Sequence, residues 1–125
     1  MSCFFDTIIV GGGASGLMCA AHIDSRYHTV ILEKTKSAGN KLLLSGSGQC
    51  NITHSGDIPS FLSAYGKNGR FIKKALYAFS NKDVINFFEQ KGVRLFERED
   101  GKIFPYSKKA SDVLNACLLY TSPSP

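Results

Sequence analysis

The four cysteines of this 125-residue chain, Cys3, Cys19, Cys50 and Cys117, include no Cys-x-x-Cys pair. That spacing excludes a zinc ribbon and a thioredoxin-type redox motif. His22, His28 and His54 add no ligand spacing, so no metal site is expected. No apolar run is long enough to cross a bilayer, and the opening MSCFFDTIIV lacks a basic leader and a small-residue cleavage site. A cytoplasmic protein with reduced thiols and no membrane partner is expected. The aromatic-and-glycine signature of an RNA-binding module is missing as well.

What is present suits a globular domain with a single core: 43% of residues are hydrophobic. The net charge of +5 is unevenly placed. Up to residue 65, Arg26, Lys34, Lys36 and Lys41 are cancelled by Asp6, Asp24, Glu33 and Asp57. The excess of base runs from Lys67 to Lys109. Its cations alternate with apolar residues at helical spacing, as on a solvated helix face, so a nucleic-acid partner is not expected.

Phe4–Val10 (FFDTIIV) is apolar and β-branched and reads as a buried strand. GGGASG follows directly, and Ala14–Tyr27 carries Leu17, Met18 and Ala21 at helical intervals. His28–Lys34 (HTVILEK) reads as a second buried strand that ends in an acid. Strand, glycine turn, helix and strand make one βαβ unit. From Thr35 to about Asp57 no period is strong, and the Gly-, Ser- and Asn-rich composition predicts an ordered loop. Helices are expected over Gly69–Phe79 and after Ser80, where Asp83 completes a capping box and Gly92 ends the helix. Phe71, Phe79, Phe87 and Phe88 are expected in the core. Val93–Glu99 reads as a strand, Asp100-Gly101 as a hairpin turn, and Ile103–Pro105 as the return strand. A last helix is expected from about Ser107, with Val113, Leu114 and Cys117 on its apolar side.

The glycines have distinct tasks in the pattern Gly11-x-Gly13-x-x-Gly16. Gly11 permits the tight turn, Gly13 lets backbone approach a pyrophosphate, and Gly16 lets helix pack on strand. The phosphates would sit at the helix N-terminus on the N–H groups of Ala14 and Ser15, with the Ser15 hydroxyl beside them. Glu33 ends the second strand, where both hydroxyls of an adenosine ribose would donate to it and a 2′-phosphate would be repelled. Gly12 completes the turn, and Lys34 would either touch the adenosine edge or stand on the surface. The later GNKLLLSGSGQCNITH suits a backbone that touches a long cofactor, with Lys41 against a phosphate and Asn51 on a ring edge or ribityl hydroxyl. FAD fits that description better than NAD. Cys50 reads as a small packed residue rather than a redox centre, and His54 as a solvated loop residue rather than a base.

IIVGGGASGLMCA, LEK and GNKLLLSGSGQCNITH together resemble the HI0933-like (BaiN-type) family of bacterial NAD(P)/FAD-dependent oxidoreductases. That family has G-x-K-x-x-x-S-G-x-G-R-C-N-x-T after the second strand. Here Gly39, Lys41, Ser45, Gly46, Gly48, Cys50, Asn51 and Thr53 stand in those places, with Gln49 where arginine is common. FFEQKGVRLFEREDGKIFPYSKKASDVLNA is similar to the family too. The resemblance implies a flavoprotein with a two-dinucleotide-binding-type core, interrupted by a second domain and several times longer than this chain. It places FAD on Gly11, Gly12, Gly13, Ala14, Ser15, Gly16, Glu33 and the Lys41–Asn51 loop with Ser45, Gly46, Gly48 and Cys50, and it assigns no catalytic acid or base.

The resulting expectation is an α/β, Rossmann-like FAD/NAD(P)-binding domain, truncated after its N-terminal βαβ unit. Residues 1–66 would form that unit and its cofactor loop, and 67–117 a helical and β-hairpin insertion. Residues 118–125, ending TSPSP, look like translated adapter sequence rather than native chain. The activity would be hydride transfer through FAD to a small-molecule substrate, with NAD(P)H as the diffusible electron donor. The fragment by itself would be inactive, bind FAD weakly or not at all, and expose apolar surface. An NAD-dependent dehydrogenase fragment, a non-enzymatic dinucleotide-binding module and a basic nucleic-acid-binding fragment, which steep salt-dependent binding to DNA or RNA would favour, are the alternatives. A retained yellow chromophore rejects the first, and electron-acceptor turnover rejects the second.

Overall fold

A computed structural model describes residues 4–118. Its elements group into two units, one made of residues up to Cys50 with those from Lys109 onward, the other of Asn51–Lys108. Residue 66, the boundary expected from the sequence, lies inside the second unit. The expected non-native tail falls outside the described residues except for Leu118, which ends a helix.

In the first unit, β1 (Thr7–Val10) and β2 (Thr29–Leu32) pair in parallel, Thr7 opposite Thr29 and Val10 opposite Leu32. The register brings both strands to an end at one level. The Gly11 N–H donates to Leu32 O (2.8 Å), so the glycine turn and Glu33 emerge side by side. Between the strands runs α1 (Ala14–Ala21). It stops short of the expected Tyr27 because the Asp24 carboxylate takes the Arg26 N–H (2.9 Å), closing a local turn that competes with helix.

Both strands are less buried than their composition suggests. Ile8, Val10 and Leu32 are 59%, 85% and 53% exposed. The face bearing Ile9 receives α1. The opposite face carries the exposed apolar residues, and hydrophobicity alone does not reveal which face is covered.

The stretch expected to be a loop holds three elements. These are α2 (Asn40–Leu44), a 3-10 turn at Ser45–Gly48, and β3 (Thr53–His54), which belongs to the second unit. Five residues are too few for a self-sustaining helix. Tertiary contact supplies the support: Leu42 is buried, and α2 packs on α6 (Ala110–Leu118), which also lies against α1. Gly39 begins α2 at φ +79, and a Cβ there would come within 2.5 Å of Leu114 Cδ1. That absence of a side chain lets Leu114 close down. Ala110, Val113, Leu114, Ala116 and Cys117 are all buried along α6.

The second unit has a three-stranded antiparallel sheet in the order β3, β5 (Lys102–Pro105), β4 (Leu95–Glu97). Phe96 lies opposite Phe104, their rings stacked at 6.1 Å. The hairpin turns at Asp100-Gly101 as expected. Gly101 has φ +83, its N–H donates to Arg98 O, and the Arg98 N–H donates to Lys102 O. Against β3 and β4 packs α5 (Asn81–Gln90), which starts at the expected capping box: Ser80 and Asp83 bond reciprocally. A helix missing from the sequence expectations, α3 (Ile58–Ala64), is capped by Asp57 on Ser60 N–H (2.9 Å) with Pro59 in its first turn. It packs on α4 (Gly69–Ala78) so closely that a Cβ on Gly69 would lie 2.5 Å from Leu62 O. Phe88 is 3% exposed, as a core residue should be. Phe71, expected beside it, is 90% exposed, because it sits on the side of α4 turned from α3.

Candidate functional site

Gly11 leaves β1 at φ +102, a conformation open to glycine, and reverses the chain into α1. Gly13 is the N-cap of that helix and supplies no side-chain cap. The N–H groups of the first turn are thus left to any acceptor outside the helix. A Cβ on Gly13 would meet nothing within 4 Å, so the space in front of those donors is open. Gly16 is the reverse case. A Cβ there would overlap the Gly11 carbonyl oxygen and lie 3.3 Å from Ile9 Cγ2. Its role is to seat the helix on the strand.

The Glu33 carboxylate turns toward this helix start. The Gly12 N–H donates to Glu33 Oε1 (2.9 Å), and the Thr35 N–H and Oγ1–H donate to Oε2 (2.8 and 2.7 Å). The Thr35 hydroxyl, with the Thr35 and Gly12 amides, holds the Glu33 pKa down at about 2. The Gly12 N–H is thus committed to the acid. The buried backbone carbonyl of Gly12 accepts from the Gly39 N–H (2.8 Å), so the glycine turn is braced by the segment after β2.

Thr35 was not singled out in the sequence, although an acceptor and a hydroxyl two residues apart are the signal for a local turn. A carboxylate offers about four acceptor positions, and three are taken here. One remains on Oε1. Holding both ribose hydroxyls requires a second, which Thr35 can release: its single hydroxyl hydrogen also has Ser37 O within 2.8 Å.

The remaining expected residues divide. Ala14 and Ser15 lie exposed at the helix start, and Lys34 and Lys41 are exposed without an ion pair among the described residues. Gly46 and Gly48 are exposed at φ +55 and +85, within a turn closed by Cys50 N–H on Ser45 O (3.0 Å). The composition of a flexible linker here serves a fixed left-handed turn, in which Ser47 too has φ +56. The Ser45 hydroxyl donates to Leu42 O (2.7 Å). Cys50 is 5% exposed, and burial pushes its thiol pKa up. Its side chain is therefore inward and protonated at neutral pH. Asn51 belongs to the second unit, where its amide nitrogen, oriented to satisfy its neighbours, donates to Thr53 O (2.9 Å). In the same unit His54 has Ser55 O at 2.6 Å and Asp100 O at 2.8 Å from its two ring nitrogens.

Among the described residues, no group of three or more His, Cys, Asp or Glu side chains could hold a metal ion, and no helix is long and apolar enough to cross a membrane.

A family model, the HI0933-like protein Rossmann domain, matches residues 5–122. The chain belongs to the HI0933-like family. Its fold is accordingly α/β and Rossmann-like, as the parallel β1–α1–β2 unit shows. Two relatives of this HI0933-like chain are called ribosomal RNA dihydrouridine synthase. That of Haemophilus influenzae is 37% identical over 106 residues, covering 83% of this chain and 26% of the relative. That of Escherichia coli K12 is 36% identical over 102 residues, covering 80% and 25%. A 3-dehydro-bile acid delta(4,6)-reductase of Clostridium scindens is 34% identical over 109 residues, covering 85% and 26%. The chain thus spans about a quarter of the length of the curated relatives it matches.

Proposed function

We propose that this chain is the FAD-binding N-terminal part of a flavin-dependent reductase, with NAD(P)H as electron donor. The observation that carries this reading is the acid-and-helix pair: Glu33 held on the Gly12 N–H beside an uncapped helix start with open space at Gly13. The residues present fit a dinucleotide. The Gly13–Gly16 backbone would bind the pyrophosphate, and Glu33 would take the adenosine ribose, with Thr35 turning to Ser37 O to free the second acceptor position. The cofactor, when bound, supplies hydride chemistry, and this chain's residues orient it by charge and hydrogen bonding. Lys41 and Lys34 add positive charge, and the exposed Gly46–Gly48 backbone suits close contact with the longer part of FAD.

The relatives' names suggest the reaction class. Dihydrouridine is uridine with one carbon–carbon double bond saturated, and a delta(4,6)-reductase acting on a 3-oxo acid saturates a carbon–carbon double bond as well. Reduction of a double bond conjugated to a carbonyl is common to both, and we extend it to this chain. A second reading places the reduced base in RNA. Two relatives carry ribosomal RNA in their names, and residues 58–82 of this chain contain five basic side chains and no acid.

The test is titration of the ¹⁵N-labelled chain with ADP, the half of the cofactor that the βαβ unit would grip. Amide signals of Gly13–Gly16 should move, Glu33→Gln should weaken the effect, and adenosine carrying a 2′-phosphate should bind worse than ADP. Unmoved amides at millimolar ADP would defeat the proposal.

A further inference from the structure

We propose that the outer face of α4 is a docking surface for the phosphate backbone of single-stranded RNA. This rests on the reading in which the substrate is carried on RNA, and it concerns the second unit rather than the glycine turn.

The face is continuous. At the pitch of an α-helix, Arg70, Phe71, Lys73, Lys74 and Tyr77 occupy an arc of about 160°. All are exposed, with Phe71 at 90% and Tyr77 at 57%. Gly69, Ile72 and Leu76 fill the opposite side, buried or half-buried. Lys67 and Tyr65 stand on the turn that leads into the helix, and both are exposed.

The spacing of these cations suggests a solvated helix face, and their lack of acidic neighbours sets this face apart from one. A helix that merely faces water commonly carries acids among its bases and pairs them along the surface. From Ile58 to Lys82 no acid occurs, and Lys67, Arg70, Lys73 and Lys74 make no ion pair among the described residues. The hairpin cations Arg98 and Lys102, by contrast, are both paired with Asp100. Free cations interleaved with exposed aromatic rings suit a single strand, whose phosphates need positive charge and whose splayed bases stack on flat side chains.

Fluorescence anisotropy of the 125-residue chain with a labelled, unstructured oligoribonucleotide reads this directly, between about 50 and about 200 mM KCl. Replacing Arg70, Lys73 and Lys74 by glutamine should weaken binding and lower the salt slope by about 2. Replacing Phe71 and Tyr77 by alanine should weaken binding several-fold with the slope unchanged. A control that removes three other cations, Arg26, Lys36 and Lys108, should leave both nearly as they were. Circular dichroism checks that each variant is folded. Equal effects of the two triple variants would mean binding by net charge alone and would overturn the proposal. So would absent binding at low salt, or binding to vesicles of anionic lipid through the same residues with none to RNA. ADP-induced shifts at Gly13–Gly16 would stand in each of these cases, so failure here is distinct from failure of the flavin reading.

Discussion

Replacing Gly13 and Gly16 by alanine, one at a time, separates ligand binding from folding in a single motif. At Gly16 a methyl group would collide with the Gly11 carbonyl oxygen, a backbone atom that cannot swing aside. Overpacking costs about 1–3 kcal/mol, and a rigid backbone neighbour puts this site near 3. The better helix propensity of alanine returns about 1 kcal/mol. The net loss of about 2 kcal/mol corresponds to a fall in melting temperature on the order of 10 °C for a domain of this size. At Gly13 the backbone is extended (φ −83, ψ −172), which alanine adopts readily, and the added carbon meets nothing within 4 Å. Alanine is a somewhat poorer N-cap than glycine, but it restricts the unfolded chain, so the two effects nearly cancel within about 0.5 kcal/mol. Stability should hold while the new methyl occupies the approach to the helix-start donors, and ADP affinity should fall by about tenfold or more, about 1.4 kcal/mol. Thermal unfolding by circular dichroism and ADP titration by NMR measure the two quantities. Gly16→Ala with an unchanged melting temperature, or Gly13→Ala with unchanged ADP binding, would refute the assignment of roles.

Other outcomes follow from the same geometry. The Glu33 carboxyl should titrate near pH 2 by ¹³C NMR rather than at the usual 4.5. Because the folded value is the lower one, its contribution to stability is full above about pH 4.5 and is lost as pH falls toward 2, and Thr35→Val should raise the midpoint. Phe88→Ala should cost about 3–5 kcal/mol in urea unfolding, whereas Phe71→Ala should stay within about 0.5 kcal/mol; similar losses would show that α4 buries the wrong side. Iodoacetamide at mildly alkaline pH should modify the exposed Cys19 well before the buried Cys50 and Cys117. Early labelling of Cys50, read by peptide mass mapping, would contradict its inward placement.

The site was legible where its physics is local. Glycine spacing, the acid after β2 and the Ser80–Asp83 cap are each set within a few residues, and each appears in the structure where the sequence puts it. The segment from Thr35 to Asp57 was not legible. Its α2 is too short to announce itself by period and depends on α6, more than sixty residues away in the chain. Thr35 escaped for a different reason: its importance lies in the lone pairs that it occupies on Glu33, and hydropathy does not record those.

Phe71 and the strands show the same limit from another side. Periodicity says that a face is apolar, and it says nothing about whether another element comes to lie on it. The amino-acid sequence by itself determined the βαβ unit, its glycine turn and the capped helices, because backbone sterics and hydrogen bonds between near neighbours dictate them. Only the tertiary structure decided that Glu33 rests on Gly12, that α6 returns to the first unit, and that Phe71, Ile8 and Val10 stay in solvent. Those outcomes depend on which surfaces meet when distant segments come together, and that is a property of the packed chain rather than of any stretch within it.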